Sequence, residues 1–287
     1  MPELPSITIV TPSFNQAAFL EETIQSVLDQ NYPRLDYVIM DGGSTDGSVE
    51  IIRRYADRLA YWTSGPDGGQ YEAINEGFTH SQGEIMAWIN SDDKFVAGAL
   101  PLVAELFTRF PQIEWMTSLF PLVWDERGRA VGCWRAFGCT RSGFMRGENL
   151  PGRAWYANQW IQQESTFWRR SLWERAGGRI DGRYKLAGDF ALWTAFMQHA
   201  ELYSVTTILG GFRRHAAQKT ANYMEVYTSE AEHALRAYGG RPYSRVESFF
   251  RVQLARRLPG KLQRYLPRAY RPRYCRYDFQ QATWLLE

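Results

Sequence analysis

The sequence predicts an α/β fold in which a mostly parallel, Rossmann-like sheet carries helices on both faces. Short apolar or β-branched runs alternate with stretches of helical periodicity over the first hundred residues. The runs stop at Gly, Pro, Asp or Asn, as strands do before a turn. With 287 residues, of which 45% are hydrophobic and 22% charged, the chain can bury one large core or two modest ones.

Four strands and three helices are predicted in this first part. The strands are the runs 7–10, 37–40, 59–63 and 85–89. The helices, marked by apolar side chains three or four residues apart, are 20–28, 49–55 and 71–78. Because strands separated by single helices pair in parallel, this order favours one parallel sheet. The rhythm weakens after Asp93, where helices are predicted at 99–110, 171–176 and 190–200 and a strand at 115–123.

The composition excludes several classes of protein. No apolar run approaches the ~18 residues of a membrane span. The first residues lack the basic and apolar parts of a secretory signal. Three cysteines without Cys-x-x-Cys spacing make neither a disulfide framework nor a zinc site. A cytoplasmic protein is therefore expected.

The charge is distributed unevenly along the chain. Residues 241–287 hold 11 Lys and Arg against 3 Asp and Glu, whereas residues 1–240 hold 22 and 28. We therefore treat 241–287 as a separate, basic and helical C-terminal extension. An apolar stripe along its predicted helix consists of Val246, Phe249, Phe250, Leu254 and Leu258. This amphipathic pattern predicts binding to an anionic membrane surface at the inner face of the membrane, or packing on the main body or a second subunit. The acidic main body argues against nucleic acid as a partner.

The segments after the predicted strands are rich in small, polar and acidic residues. They are 11–13, 41–43, 65–69 and 90–93. Ligands of open α/β sheets bind beyond the carboxyl ends of the strands, so these segments predict a site at one rim. Each of them taken alone is equally typical of a turn.

The segment Asn90-Ser91-Asp92-Asp93 carries the strongest prediction of chemistry. Adjacent carboxylates after a buried strand repel each other, and a hard divalent cation between them and a phosphate would relieve that repulsion. Capping of the following helix by Asp92 or Asp93 is the alternative. A Walker-type phosphate loop, a Gly-x-Gly-x-x-Gly run and a His-Glu-x-x-His motif are all missing from the sequence.

Four segments resemble the family 2 glycosyltransferases of the GT-A fold, in order and spacing as well as in residues. They are 11–15, 26–30, 41–47 and 90–93. The resemblance covers roughly residues 5–220 and implies an inverting transferase that uses a nucleotide-sugar donor with Mn²⁺ or Mg²⁺. It divides a GT-A-like domain, 1–240, into a nucleotide-binding half, 1–98, and an acceptor half, 99–240.

The resemblance also implies a role for each matching residue. The donor-binding residues would be Pro12, Ser13, Asn15, Asp41, Gly68, Gly69, Gln70, Asn75, Asn90, Ser91 and Asp92. The metal-binding residues would be Asp92, Asp93 and His215, with a UDP-type base near Asp41. Asn90 stands where the family's Asp-x-Asp motif begins with an acid, so Asp92 would carry most of the metal binding.

On the acceptor side, residues 163–169 and 188–193 resemble two further family motifs. Asp189 corresponds to the catalytic base, although Gly188 replaces the first member of the usual acidic pair. Capping of the predicted helix by Asp189 is the alternative that the residues alone leave open. Glu164 and Trp168 are predicted to contact the acceptor, since carboxylates and indole faces both bind sugars. A surface position for Glu164 and a core position for Trp168 are the alternatives.

The predicted function is inverting transfer of a sugar from a nucleotide-sugar to a glycan, lipid-linked or similar hydroxyl acceptor. A nucleotidyltransferase would need a basic residue near the α-phosphate, and residues 11–16 contain none. A non-catalytic carbohydrate-binding or scaffold protein on the same fold is the rival of a different class, and the departures at Asn90 and Gly188 favour it.

Overall fold

The computed structural model describes residues 4–151, 160–216, 218, 223–244, 246–247 and 271–287. The strands are β1 (Ile7–Ser13), β2 (Leu35–Asp41), β3 (Tyr61–Ser64), β4 (Ile85–Trp88), β5 (Lys94–Phe95), β6 (Trp115–Ser118), β7 (Leu122–Trp124), β8 (Ala130–Cys133), β9 (Thr166–Arg169), β10 (Leu202–Val205), β11 (Gly210–Arg213), β12 (Arg273–Asp278) and β13 (Thr283–Leu286). The helices are α1 (Ala17–Leu28), α2 (Ser48–Arg54), α3 (Gln70–Thr79), α4 (Ala99–Arg109), α5 (Arg141–Met145), α6 (Arg170–Arg175), α7 (Gly188–His199) and α8 (Met224–Ala237). Two 3₁₀ turns, Ala56–Arg58 and Gln163–Ser165, complete these elements.

A nine-stranded, mostly parallel sheet forms the centre of the fold, in the order β13-β12-β10-β6-β9-β4-β1-β2-β3. β9 runs antiparallel between β4 and β6, and β13 runs antiparallel to β12. β1, β2 and β4 are buried almost throughout, as expected of strands covered by helices on both faces. The predicted fold class and the alternation of the first hundred residues are confirmed.

A second, four-stranded sheet, ordered β5-β11-β7-β8, lies beside the first. The strand predicted at 115–123 is therefore wrong in one respect, because it is two strands in two sheets. The chain leaves the large sheet after Ser118, whose hydroxyl donates to the carbonyl of Thr207 at 2.6 Å and accepts from the amide of Phe120 at 2.9 Å. Pro121 follows, and β7 then begins in the small sheet, paired with β11.

The end of the chain also differs from its prediction. Residues 271–287 were expected to belong to a helical extension, but they form the β12–β13 hairpin, and β12 pairs in parallel with β10. Cys275 and Trp284 of this hairpin are buried in the core. Side chains of a strand repeat every two residues, which explains why no helical period exists there. In the apolar stripe, Val246 is 68% exposed, whereas Phe249, Phe250, Leu254 and Leu258 lie outside the described residues.

The core of the large sheet is unusually aromatic. Trp88, Trp115, Trp168 and Trp193 are each at most 1% exposed. The Trp168 ring centroid lies 5.5 Å from that of Trp88 and 5.8 Å from that of Trp193. The prediction that Trp168 contacts the acceptor is therefore wrong. β9 lies between two other strands, so its inward indole packs in the core and cannot reach a ligand.

Across the described part of the chain, none of the helices is both long and apolar enough to cross a membrane.

Candidate active site

The loops that follow the first strands meet at one edge of the large sheet. β1 pairs in parallel with both β2 and β4, and Ser13 at the end of β1 lies opposite Asp41 at the end of β2. Because parallel strands end on the same side, the loops after β1, β2 and β4 share this edge. We call these three loops the donor edge. Ligands of such sheets bind at this position.

Asp41 organises the loop after β2. The carboxylate is 2% exposed, and its Oδ2 accepts hydrogen bonds from the amides of Gly43 and Ser44 at 3.1 and 2.9 Å. The Ser64 hydroxyl donates to the same oxygen at 2.7 Å, and the Ser44 hydroxyl donates to Oδ1 at 2.5 Å. With four such donors around it, Asp41 shapes the wall of the donor edge. Oδ1, which has one donor, keeps the capacity to accept a further hydrogen bond.

Asn15 fastens the loop after β1 to the loop after β2. Its amide donates to Ser44 Oγ at 2.8 Å, and its side-chain oxygen accepts from the amide of Thr45 at 2.9 Å. The backbone of Asn15 has φ of 52°, a left-handed conformation that Asn tolerates better than most residues. Nearby, Ser13 is buried, and its hydroxyl has no hydrogen-bond partner among the described residues. An unsatisfied buried hydroxyl at this edge is a candidate contact for a ligand.

A chain of side-chain amides crosses the donor edge. Gln70 at the start of α3 donates to Asn90 Oδ1 at 2.8 Å, and Asn90 Nδ2 donates to Gln163 Oε1 at 3.1 Å and to Asp93 Oδ2 at 3.2 Å. An aspartate at position 90 could not make the two donations, because a carboxylate only accepts. Asn90, which replaces the family's acidic residue, is thus required by the hydrogen bonds around it. Gly68 and Gly69 are exposed just before Gln70.

Asp92 and His215 come together from distant parts of the chain. His215 Nε2 lies 2.9 Å from Asp92 Oδ2, and the ring of His215 also contacts that of Phe19, with centroids 4.6 Å apart. The side chains of Asp92 and His215 are 19% and 4% exposed. The structure thus brings together two of the residues that were predicted to bind a metal, and Asp92 is the more accessible of them.

Asp93, in contrast, points into the protein. It is fully buried, and its Oδ1 accepts a hydrogen bond from the amide of Arg213 at 2.8 Å. Burial, together with the charges of Asp92 and Glu164, raises the pKa of Asp93 well above its usual range. A buried carboxyl with both oxygens engaged by the protein is a poor cation ligand. These contacts argue against the predicted metal role of Asp93.

Arg213 fixes the loop that carries Asp92. This guanidinium is buried, and its Nε donates to the backbone carbonyl of Asp92 at 2.6 Å. Its second contact is an ion pair with Glu22 at 2.6 Å, and Glu22 also pairs with Lys94. A buried charge of this kind is stable only when it is paired and hydrogen-bonded. No sequence motif identified Arg213, although it lies only two residues before His215.

Glu164 is the central carboxyl of the site. It is 4% exposed, and its Oε1 has no hydrogen-bond partner among the described residues. Burial raises the pKa of Glu164 to about 8, and the charges of Asp189 and Asp92 contribute to this shift. The start of α3 joins the donor edge to the start of α7, because Gln70 bonds to Asn90 and the Tyr71 ring lies against Gly188.

Asp189 lies in the first turn of α7 and is half-buried. Its Oδ1 accepts hydrogen bonds from the amide of Phe190 at 2.8 Å and from the hydroxyl of Tyr227 at 2.9 Å. Burial raises the pKa of Asp189 to about 6, although these two hydrogen bonds act in the opposite direction. A carboxylate with a pKa near neutrality is well suited to accept a proton.

Gly188 has a steric reason to lack a side chain. A Cβ at this position would lie 2.6–2.7 Å from three carbons of the Tyr71 ring. Tyr71 is held there, because its hydroxyl donates to the carbonyl of Leu186 at 2.7 Å. The tyrosine ring therefore occupies the space where the family's additional acid would begin.

Asn75 has a structural role instead of the predicted contact with the donor. Its side-chain oxygen accepts from the amide of Ile180 at 2.7 Å, and its Nδ2 donates to the carbonyl of the same residue at 2.9 Å. Both ends of the amide are thus used to attach α3 to the segment before α7. This role could not be recognised from sequence, because Ile180 is 105 residues away.

The described residues contain no group of three or more His, Cys, Asp or Glu side chains arranged to hold a metal ion. Asp92 and His215 offer one carboxylate and one imidazole nitrogen. This donor set suits Mn²⁺ or Mg²⁺ only if a diphosphate supplies further oxygens, as is usual for Mg²⁺ bound with nucleotides. The residues present therefore fit a cation that is shared with a ligand.

Comparison with known proteins agrees with this geometry. Residues 8–120 match the model of Glycosyl transferase family 2. The fold is that of the GT-A glycosyltransferases, and the predicted resemblance to family 2 is confirmed over the matched residues.

Two solved structures have the same fold at low sequence identity. S. aureus TarS in complex with UDP-GlcNAc superimposes with a TM-score of 0.58 at 16% identity, covering 90% of this chain and 77% of that one. The mannosyltransferase PcManGT from Pyrobaculum calidifontis, in complex with GDP-Man and Mn²⁺, gives a TM-score of 0.55 at 18% identity, covering 92% and 84%.

Curated relatives match mainly through the first third of the chain. A glycosyltransferase of Mycobacterium tuberculosis is 38% identical over 96 residues, which are 33% of this chain and 37% of that protein. The GalNAc(5)-diNAcBac-PP-undecaprenol beta-1,3-glucosyltransferase of Campylobacter jejuni is 27% identical over 105 residues, or 34% and 33%. A longer match, to a glycosyltransferase of Rickettsia prowazekii, is 23% identical over 226 residues and covers 78% and 69%. These matches support a role in glycosyl transfer.

Proposed function

We propose that this protein transfers a sugar, with inversion, from a nucleotide-sugar donor to a hydroxyl group of a glycan or lipid-linked acceptor. The observation that carries the proposal is that the start of α3 contacts both elements: Gln70 donates to Asn90 in the loop of Asp92, and Tyr71 lies against Gly188, which precedes Asp189. One carboxylate at the donor edge and one on α7 thus belong to the same site, as in-line displacement at a sugar carbon requires. A UDP-sugar is the donor we expect.

The donor would lie along the loops after β1, β2 and β4. The free hydroxyl of Ser13 and the exposed loop at Gly68 and Gly69 would receive the base and ribose. Asp92, supported by His215, would face the diphosphate. A divalent cation held by Asp92, His215 and the diphosphate would neutralise the charge that develops on the leaving group.

Asp189 would act as the general base on the opposite side of the sugar. Its carboxylate accepts the proton of the acceptor hydroxyl as the oxygen attacks the anomeric carbon. The bond between that carbon and the diphosphate oxygen breaks in the same step, so the configuration inverts. Glu164, which keeps its proton near pH 7, would donate a hydrogen bond to a sugar hydroxyl.

The relatives guide the choice of ligands without deciding it. The neighbours' printed complexes contain UDP-GlcNAc in one case and GDP-Man with Mn²⁺ in the other. The Campylobacter relative is named for an undecaprenol-linked acceptor, which supports testing lipid-linked acceptors here. We expect a peripheral, cytoplasmic enzyme that works on such an acceptor at a membrane surface.

Thermal shift with a panel of UDP-, GDP- and dTDP-sugars, each with and without Mn²⁺, tests the donor assignment. A bound donor raises the melting temperature by mass action, and we expect the largest rise with a UDP-sugar and Mn²⁺. Hydrolysis of the best donor is then measured in the same buffers. Binding without any turnover, in water or with glycoside acceptors, would favour the carbohydrate-binding scaffold, and the absence of binding would contradict the proposal.

A further inference from the structure

Helix α8 contacts the segment around the start of α7 at three places. Glu230 accepts hydrogen bonds from three successive backbone amides, those of Lys185, Leu186 and Ala187, at 2.8–3.0 Å. Farther along the helix, His233 Nδ1 lies 3.2 Å from the hydroxyl of Tyr184. Three residues before Glu230, and therefore on the same face of α8, Tyr227 reaches Asp189.

The two oxygens of Asp189 have different surroundings. Oδ1 accepts from both the hydroxyl of Tyr227 and the amide of Phe190. Oδ2 has no hydrogen bond to any other described residue. Two donors on one oxygen fix the plane of a carboxylate and leave the second oxygen free to react. The geometry therefore distinguishes a held oxygen from a reactive one.

Tyr227 could not take another position without breaking the packing around it. It is 4% exposed, and its ring lies against that of Trp160, with centroids 4.9 Å apart. Its helix is in turn fixed to the α7 segment by Glu230. Packing and hydrogen bonding thus aim the phenol at Asp189, which is the arrangement that orients a reactive side chain.

We propose that Tyr227 is a positioning residue, whose hydroxyl holds Oδ1 of Asp189 so that Oδ2 faces the acceptor hydroxyl. The inference rests on the proposed function, because it requires Asp189 to be the base. Nothing in the sequence motifs assigns Tyr227, which lies 38 residues beyond Asp189 in a helix outside them. In this proposal α8 orients Asp189 through Tyr227 and is itself held in place through Glu230.

The charged and titratable groups that face Asp189 come from three other elements. They are Tyr227 and Glu230 of α8, Tyr71 of α3 and Glu164 of the 3₁₀ turn. The Tyr227 hydroxyl lowers the pKa of Asp189, whereas the negative charge of Glu230 raises it. Removing one or the other group should therefore move that pKa in opposite directions.

Tyr227→Phe removes only the hydroxyl and tests the proposal directly. Carboxyl ¹³C resonances of aspartate-labelled protein are titrated, with the Asp189 signal assigned by its loss in Asp189→Asn. We expect a midpoint of about 6 in the unchanged chain, a higher one in Tyr227→Phe and a lower one in Glu230→Gln. Glu230→Gln keeps an oxygen for the amides of Leu186 and Ala187 but loses the acceptor of the Lys185 amide, so its fold is checked by circular dichroism before the titration. This titration needs no substrate.

Hydrolysis of the best donor from the thermal-shift panel supplies the second measurement. In Tyr227→Phe, kcat should fall about 10- to 100-fold, a part of the ~10²–10⁴ that a general base contributes, while KM for the donor stays unchanged. The acid limb of the pH–rate profile should move up with the carboxyl midpoint. Tyr184→Phe is the matched control, because it cuts the contact between α8 and this segment at His233 without touching Asp189.

The outcomes separate this inference from the proposed function. An unchanged midpoint and an unchanged kcat in Tyr227→Phe, with Asp189→Asn inactive, would overturn the role of Tyr227 alone. An active Asp189→Asn would overturn the base assignment and, with it, the positioning role. An equal loss of kcat in Tyr184→Phe would show that α8 acts only by general support of the segment, and that result too would overturn the proposal.

Discussion

Asp92 Oδ2 and His215 Nε2 lie 2.9 Å apart, although 123 residues separate them in the chain. The contact joins the loop after β4 to the segment after β11. It exists because Arg213, two residues before His215, donates from its guanidinium to the carbonyl of Asp92 and from its backbone amide to the carboxylate of Asp93. The small sheet, of which β11 is a strand, therefore places His215 beside the donor edge.

Asp92→Ala should abolish the Mn²⁺-dependent part of UDP binding, because the accessible carboxylate of the donor edge is lost. Calorimetric titration of UDP with and without Mn²⁺ measures the effect. Asp93→Ala is the matched control. It should weaken the affinity less, and instead lower the free energy of unfolding by about 1–3 kcal/mol, since the buried Arg213 amide loses its acceptor. If Asp92→Ala binds UDP in the presence of Mn²⁺ as tightly as the unchanged chain does, this assignment is contradicted.

Asp189→Asn should leave folding and donor binding intact while turnover falls by ~10²–10⁴. The amide keeps an oxygen for the Phe190 and Tyr227 donors, so the local structure is preserved. Initial rates and UDP affinity are measured on the same preparation. Turnover close to that of the unchanged chain would make Asp189 a helix-capping residue.

The pH dependence of turnover follows from the same carboxylate. Burial raises the pKa of Asp189 to about 6, and only the ionised form accepts a proton. The rate should therefore be at its plateau above pH 7 and fall tenfold per pH unit well below 6. A rate that stays constant down to pH 4.5, where the fold is still intact by circular dichroism, would contradict Asp189 as the base.

Gly188→Ala should destabilise the protein by about 1–3 kcal/mol, because the new methyl group overlaps the Tyr71 ring. Urea unfolding gives the free energy directly. Gly182→Ala is the control, since nothing lies within 4 Å of a Cβ there, and it should change stability by no more than about 0.5 kcal/mol. If both variants unfold at the same urea concentration, the Tyr71 ring must be able to move aside.

The donor edge could be predicted from sequence because local patterns determine it. Each strand of the first hundred residues ends in a recognisable turn, and parallel pairing then brings Asp41 and Asp92 to one edge. The roles of Asn75 and Trp168 could not be predicted in the same way. Asn75 bonds to Ile180, and Trp168 is buried by strands from both sides of β9, so long-range pairing decides both cases.

The residues that complete the site share this dependence on distant contacts. Arg213 and Tyr227 act on Asp92 and Asp189 through tertiary hydrogen bonds, and neither lies in a motif with a fixed spacing. The hairpin of β12 and β13 was missed for a related reason. Its strands are short and half-buried at one end of the large sheet, in an Arg- and Tyr-rich segment where charge suggested a solvated extension.

Glu164→Gln should make stability less dependent on pH. A carboxyl whose pKa rises from 4.5 to about 8 on folding stabilises the fold less and less as pH increases between these values, because the folded state holds the proton more tightly. The glutamine keeps the shape and removes the titration. The variant should therefore gain stability relative to the unchanged chain from pH 5 to pH 8. Urea unfolding is measured for both proteins at pH 5 and pH 8. If the difference between their free energies of unfolding is the same at both pH values, Glu164 titrates normally.

The basic extension should hold the protein at an anionic membrane, a prediction that rests on residues outside the described part of the chain. The apolar stripe from Val246 to Leu258 is accompanied by Arg251, Arg256 and Arg257, and each basic side chain near anionic lipid contributes ~1 kcal/mol. A truncation after residue 240 would be a poor test, because it removes β12 and β13 from the large sheet. Replacing the three arginines by Gln leaves the hairpin in place.

Co-sedimentation with vesicles separates the two readings of this extension. The unchanged chain should bind anionic vesicles at low salt and ignore neutral ones, and the triple Gln variant should bind the anionic vesicles several-fold less. Arg127→Gln, Arg129→Gln and Arg135→Gln together form the matched control, since they remove the same charge from the exposed segment around β8. If the two triple variants lose binding equally, the attraction is a property of total charge. If the unchanged chain does not bind anionic vesicles at all, the stripe is a packing surface.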